Sequence, residues 1–86
     1  MKIKDSFIIS EVGGDIVLVP VESDGFKGIV RINKTSKFII ECLRLDTTKD
    51  AILDRLKEKY FGDEKEMAES IDIVLNTLRK VNALVE

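Results

Sequence analysis

Cys42 is the only thiol of this chain, and no histidine exists to activate it. Without imidazole the usual general base near neutral pH is missing. A lone cysteine at helical spacing among Phe38, Ile39 and Leu43 reads as a small core residue rather than a nucleophile. Metal chemistry is poorly served too, because there is no Cys/His cluster. The carboxylates Glu64, Glu66, Glu69 and Asp72 lack the spacing of a calcium loop and read as a solvated helix face. Lys49, Arg55, Lys57 and Lys59 alternate with Asp50, Asp54 and Glu58, the pattern of exposed i,i+4 pairing. What remains is the chemistry of the backbone itself. Gly28-Ile29-Val30-Arg31-Ile32 contains no proline and one charge, so at a sheet edge its N–H and C=O groups would be open to a further strand.

Composition agrees with binding rather than catalysis. Eighty-six residues, 44% apolar and 35% charged, suit one small soluble domain spanning 1–86. A domain of this size buries only about 60% of its unfolded surface, which leaves little room for a deep active site. The net charge is −2, and the acidic excess lies in residues 46–86, with 7 basic and 10 acidic side chains. A binder of phosphate backbones wants the opposite sign. No apolar run approaches the ~20 residues of a membrane span, and no signal-peptide h-region is visible. One cysteine forms no internal disulfide, so a cytoplasmic location is expected.

The elements that would position the strand follow from periodicity. Phe7-Ile8-Ile9 and Ile16-Val17-Leu18-Val19 flank Gly13-Gly14, a hairpin signal that sets Val12 opposite Asp15 and Ser10 opposite Val17. Pro20 ends the second strand. Gly28–Ile32 is the third, with Val30 and Ile32 on one face and Ile29 and Arg31 on the other. Asn33 caps a first helix from Lys34 to about Arg44. Thr47 and Asp50 open a second, which runs to about Tyr60 and is stopped by a left-handed Gly62. Asp63 and Glu66 open a third. Its stripe Met67, Ile71, Val74, Leu78, Val81 and Val85 is unbroken, widened by Ala68 and Leu75, with Ile73 and Leu84 beyond it. The expected fold is α+β: a three-stranded antiparallel β-meander followed by three α-helices, winged-helix-like. If the third helix packs beside the edge, Ile71, Leu75, Leu78 and Ile73 form the wall of an apolar groove.

The strand with Ile32-Asn33-Lys34-Thr35, the segment Ile39-Ile40-Glu41-Cys42-Leu43, the Thr-capped helix ending at Tyr60 and the apolar helix reaching Leu84-Val85 together resemble the PqqD-like family. The resemblance covers roughly residues 6–85 and rests on hydrophobic spacing and caps. It departs from the family at Ile40, where an aromatic is frequent, and at Asn82-Ala83, where glycine is usual. Asparagine, however, also reaches the left-handed conformation. The resemblance implies a non-catalytic peptide chaperone, a recognition element for ribosomally made and later modified peptides. Such a domain binds the leader segment of a precursor by strand addition and presents it to a tailoring enzyme, commonly a radical S-adenosylmethionine protein. Carried onto this chain, the peptide-binding residues are Ile29, Val30, Arg31 and Ile32, facing Ile71, Val74, Leu75 and Leu78. Arg31 favours an acidic residue on the peptide.

The expected partners are thus a leader peptide and a tailoring enzyme, with no cofactor, metal, nucleic acid or membrane. The open edge also allows a homodimer. Two rival readings are a winged-helix DNA-binding regulator and a structural protein–protein interaction module.

Overall fold

Gly13 and Gly14 hold φ of 58° and 88° in the computed structural model, which describes residues 1–20 and 30–86. Positive φ at both positions makes a type I′ turn, whose twist matches the strands it joins. The chain runs β1 (Lys2–Ile3), β2 (Phe7–Val12), β3 (Asp15–Pro20), β4 (Val30–Ile32), α1 (Lys34–Cys42), α2 (Lys49–Lys59), α3 (Glu64–Lys80) and β5 (Leu84–Val85). The hairpin register is the one read from sequence: Val12 faces Asp15 and Ser10 faces Val17. β4 adds to β3 antiparallel, so the sheet order is β2-β3-β4. This is an α+β fold with a three-stranded meander and, among the described residues, three helices.

The residues expected at the start of the third strand, Gly28 and Ile29, lie outside the described residues. At its other end Asn33 caps α1 as expected, its Oδ1 accepting from the Ser36 amide at 2.8 Å. The helices close over one face of the sheet. Phe7 and Leu18 from the sheet meet Ile39, Ile40 and Leu43 of α1 and its cap, Ile52 and Leu56 of α2, and Ile71, Leu75 and Leu78 of α3. Cys42 is buried with them. The exposed pairs Lys49–Asp72 and Lys57–Glu64 cross from α2 to α3 at 2.8 and 3.5 Å, an arrangement that adds little stability.

Three boundaries differ from the expectation. The cap of α2 is Thr48, whose Oγ1 accepts from the Ala51 amide; the Thr47 amide is instead bonded to the Met1 carbonyl at 2.9 Å. Gly62 is not a left-handed stop, because α2 already ends at an extended Tyr60 with ψ 147°. The third helix does not carry its stripe to Val85. It stops at Lys80, and Asn82 turns the chain with φ 57°. The Ala83 amide bonds the Leu78 carbonyl and the Asn82 amide the Arg79 carbonyl, which together make a Schellman motif. The residues beyond it form β5, paired with β1 through Lys2–Val85 and Ile3–Leu84. Asn82→Ala is expected to cost about 1 kcal/mol, a few degrees of Tm, because alanine is poor at positive φ. Asn82→Gly should melt at or above the wild-type temperature.

Candidate functional site: an open sheet edge above an apolar cleft

The two-residue turn fixes which backbone groups face outward. Val12 and Asp15 close the turn as a hydrogen-bonded pair, and hydrogen-bonded pairs recur at every second residue. Ser10–Val17 is therefore bonded as well, so Val17 turns its N–H and C=O toward β2. Ile16 and Leu18 turn theirs the other way, to Ile32 and Val30, their register partners on β4. Arg31 stands opposite Val17 in the non-bonded pair. Its N–H and C=O consequently point away from β3, to the side where no strand of the described residues pairs with β4. Asn33, two residues on and still extended at φ −98° and ψ 178°, aims its N–H the same way.

Beside this edge lies a cleft of about 220 Å³. Leu18, Ile40, Val74 and Leu78 make its apolar floor, Val30 through Asn33 one wall and Ile73 with Thr77 the other. Ile73 is 66% exposed, an unusual amount for isoleucine on a helix whose neighbour Val74 is buried. Helical spacing explains the pairing of Ile73 and Thr77, which are four residues apart on one side of α3. The Thr77 hydroxyl donates to the Ile73 carbonyl at 2.9 Å, and Thr77 is among the lining residues. Ser36 supplies a second hydroxyl from the first turn of α1. The volume is below the ~300–1,000 Å³ of small-molecule sites, so it suits side chains rather than a whole ligand.

Of the residues expected at the site, Val30, Arg31, Ile32, Val74 and Leu78 line this cleft. Ile71 and Leu75 do not: both are buried in the core. Ile29 lies outside the described residues. Leu18, Asn33, Ser36, Ile40 and Thr77 line the cleft without having been singled out for it. Ser36 and Ile40 share a face of α1 at i,i+4, which a search for apolar stripes passes over because one of them is polar.

Arg31 is exposed and makes no ion pair among the described residues. The titratable groups that shift lie elsewhere. Hydrogen bonding to Glu11 raises Lys37, and hydrogen bonding between Arg79 and Glu86 raises the first and lowers the second. The Met1 amine holds Asp46 below the usual carboxylate range. All four belong to exposed ion pairs. Among the described residues no three His, Cys, Asp or Glu side chains gather as a metal site, and no helix is long and apolar enough to cross a membrane. A second hollow, about 420 Å³ and lined by Phe38, Glu41, Cys42, Arg55, Glu58 and Lys59, is larger but touches no sheet edge. The cleft at β4 therefore offers two things: backbone donors and acceptors in extended geometry, and apolar surface beneath them.

Fold and site thus define a class, a small α+β domain whose sheet, among the described residues, ends in β4 beside an apolar cleft. Sequence supplies the family. The chain belongs to the PqqD family, described as coenzyme PQQ synthesis protein D, whose pattern matches residues 15–84. No curated protein matches the chain in sequence. In structure it is similar to TbiB1, solved in complex with the TbiA(beta) leader peptide, with a TM-score of 0.74. That match covers 98% of this chain and 94% of the other at 18% identity, a likeness of fold.

Proposed function

We propose that this domain is a non-catalytic peptide chaperone. It captures the leader segment of a ribosomally synthesised precursor as an added strand on β4 and presents it to a modifying enzyme, often a radical S-adenosylmethionine protein. The observation that carries the reading is the outward N–H and C=O of Arg31 directly above the cleft. An incoming strand gains backbone hydrogen bonds there and at the Asn33 amide, each worth roughly 0.5–1.5 kcal/mol net. Side chains that enter the cleft add apolar burial, about 25 cal/mol per Å². Membership of the PqqD family and a shared fold with a protein solved around a leader peptide support the assignment. The reading places the domain in the cytoplasm, where precursor peptides are made.

DNA recognition is disfavoured on charge. Past Lys65 the only basic residues of α3 are Arg79 and Lys80, and Arg79 is bonded to Glu86 at 2.6 Å. A titration followed by amide NMR tests the proposal, using the leader of a short reading frame encoded beside this gene. Shifts should concentrate on residues 30–33 and on the Ile73–Thr77 side of α3. Shifts centred on α2 instead, or a salt-sensitive complex with duplex DNA, would contradict it. Constant relaxation rates on dilution should accompany the result, since an edge engaged in a homodimer would be released as concentration falls.

A further inference from the structure

We propose that the captured segment is read as a three-residue frame, apolar–acidic–apolar, with the acidic residue directly opposite Arg31. The inference rests on strand capture at β4 and adds the identity and position of the side chains selected. In a pleated sheet, residues directly opposite share a face and their neighbours project to the other. This holds whether the incoming strand runs parallel or antiparallel. The residue opposite Arg31 therefore shares the face that carries the exposed guanidinium. The residues before and after it turn toward the face of Val30 and Ile32, which is the face of the cleft.

Each position then meets a distinct environment. The central one meets a cation without a carboxylate partner among the described residues, so Asp or Glu is favoured and Lys or Arg opposed. The flanking positions meet Leu18, Val74, Leu78 and the exposed Ile73, in a lining that also includes Arg31, Asn33, Ser36 and Thr77. Lysine or arginine there would lose water without gaining a counter-ion, since no Asp or Glu lines the cleft. Apolar residues spaced two apart, with an acid between them, satisfy both faces at once.

The test is a phage-displayed library of random linear heptapeptides, panned in parallel on the wild-type domain and on Arg31→Glu. Residue 31 is exposed, so the variant should keep its circular dichroism spectrum and Tm. The wild type is expected to enrich Leu, Ile, Val or Phe on either side of Asp or Glu, and the variant to enrich Lys or Arg at the centre. Wild-type binders should lose roughly tenfold in affinity for the variant, since an exposed attraction becomes a repulsion. Enriched peptides that shift the amides of residues 30–33 yet show no central acid, or the same acid on both proteins, would overturn this inference and leave strand capture standing. No enrichment at all, or binders that leave residues 30–33 unmoved, would overturn capture and the frame with it.

Discussion

Arg31→Pro is expected to abolish peptide capture, a loss of at least about tenfold in affinity, while the domain stays folded. The amide it removes faces away from β3, so no ladder bond among the described residues is lost. Proline is tolerated on edge strands in that orientation, and its demand for an extended preceding residue suits Val30. The ring would also stand where the backbone of an incoming strand must approach. Val30→Pro should behave differently, because the Val30 amide is bonded to Leu18 across the ladder. That change costs roughly 1–3 kcal/mol of stability by leaving a ladder partner unpaired. Arg31→Ala completes the set: it keeps the amide and removes a rim charge, and should weaken binding only a few-fold. Isothermal titration with thermal melts of all three variants separates backbone from side chain. Undiminished binding by a folded Arg31→Pro protein would refute strand addition at β4.

Ile71→Ala and Ile73→Ala, two residues apart on α3, should have opposite phenotypes. Ile71 has 0% exposure within the core cluster, and truncating such a residue costs about 2–5 kcal/mol. A domain of this length has only on the order of 4–13 kcal/mol to lose. Its Tm should therefore fall by at least about 10 °C. Ile73 is mostly exposed, and its truncation should change stability by less than about 0.5 kcal/mol. Its cost should appear in peptide affinity, several-fold, through lost apolar contact in the cleft. Denaturant melts and titrations on both variants check the assignment, and an Ile73→Ala protein that melts early but binds normally would overturn it.

The division between these two neighbours shows where sequence reading stops. The helical wheel correctly groups Ile71, Val74, Leu75 and Leu78 as one stripe. It also sets Ile73 beyond that stripe, and what it does not say is that the off-stripe Ile73 reaches the cleft while Ile71 and Leu75 are covered by the core. Local features were legible. The Gly13-Gly14 turn dictates its own register, and Asn33 declares the start of α1 by its side-chain chemistry. The C-terminal boundary was not, because Val81 and Val85 keep the helical period past the true end. What breaks the helix is the left-handed Asn82 together with pairing between β5 and β1, a contact between residues at opposite ends of the sequence. The α2 cap failed for a similar reason. Thr47 and Thr48 are chemically identical candidates, and the Thr47 amide is tied to Met1, a residue far off in sequence, while Thr48 takes the cap.

The junction at Asn33, where β4 passes without a linker into α1, has a kinetic meaning. A guest strand cannot continue pairing along a helix, so its contact stops there and the clasp stays short on that side. Short clasps let go quickly. Were the affinity micromolar, a complex forming at about 10⁵–10⁷ M⁻¹s⁻¹ would dissociate at about 0.1–10 s⁻¹. Residence times of about a tenth of a second to ten seconds match the pace of ordinary enzyme turnover, commonly about 1–10³ s⁻¹, more closely than permanent storage would. A carrier of the proposed kind suits handing a substrate on, because at Asn33 its edge gives way to a helix.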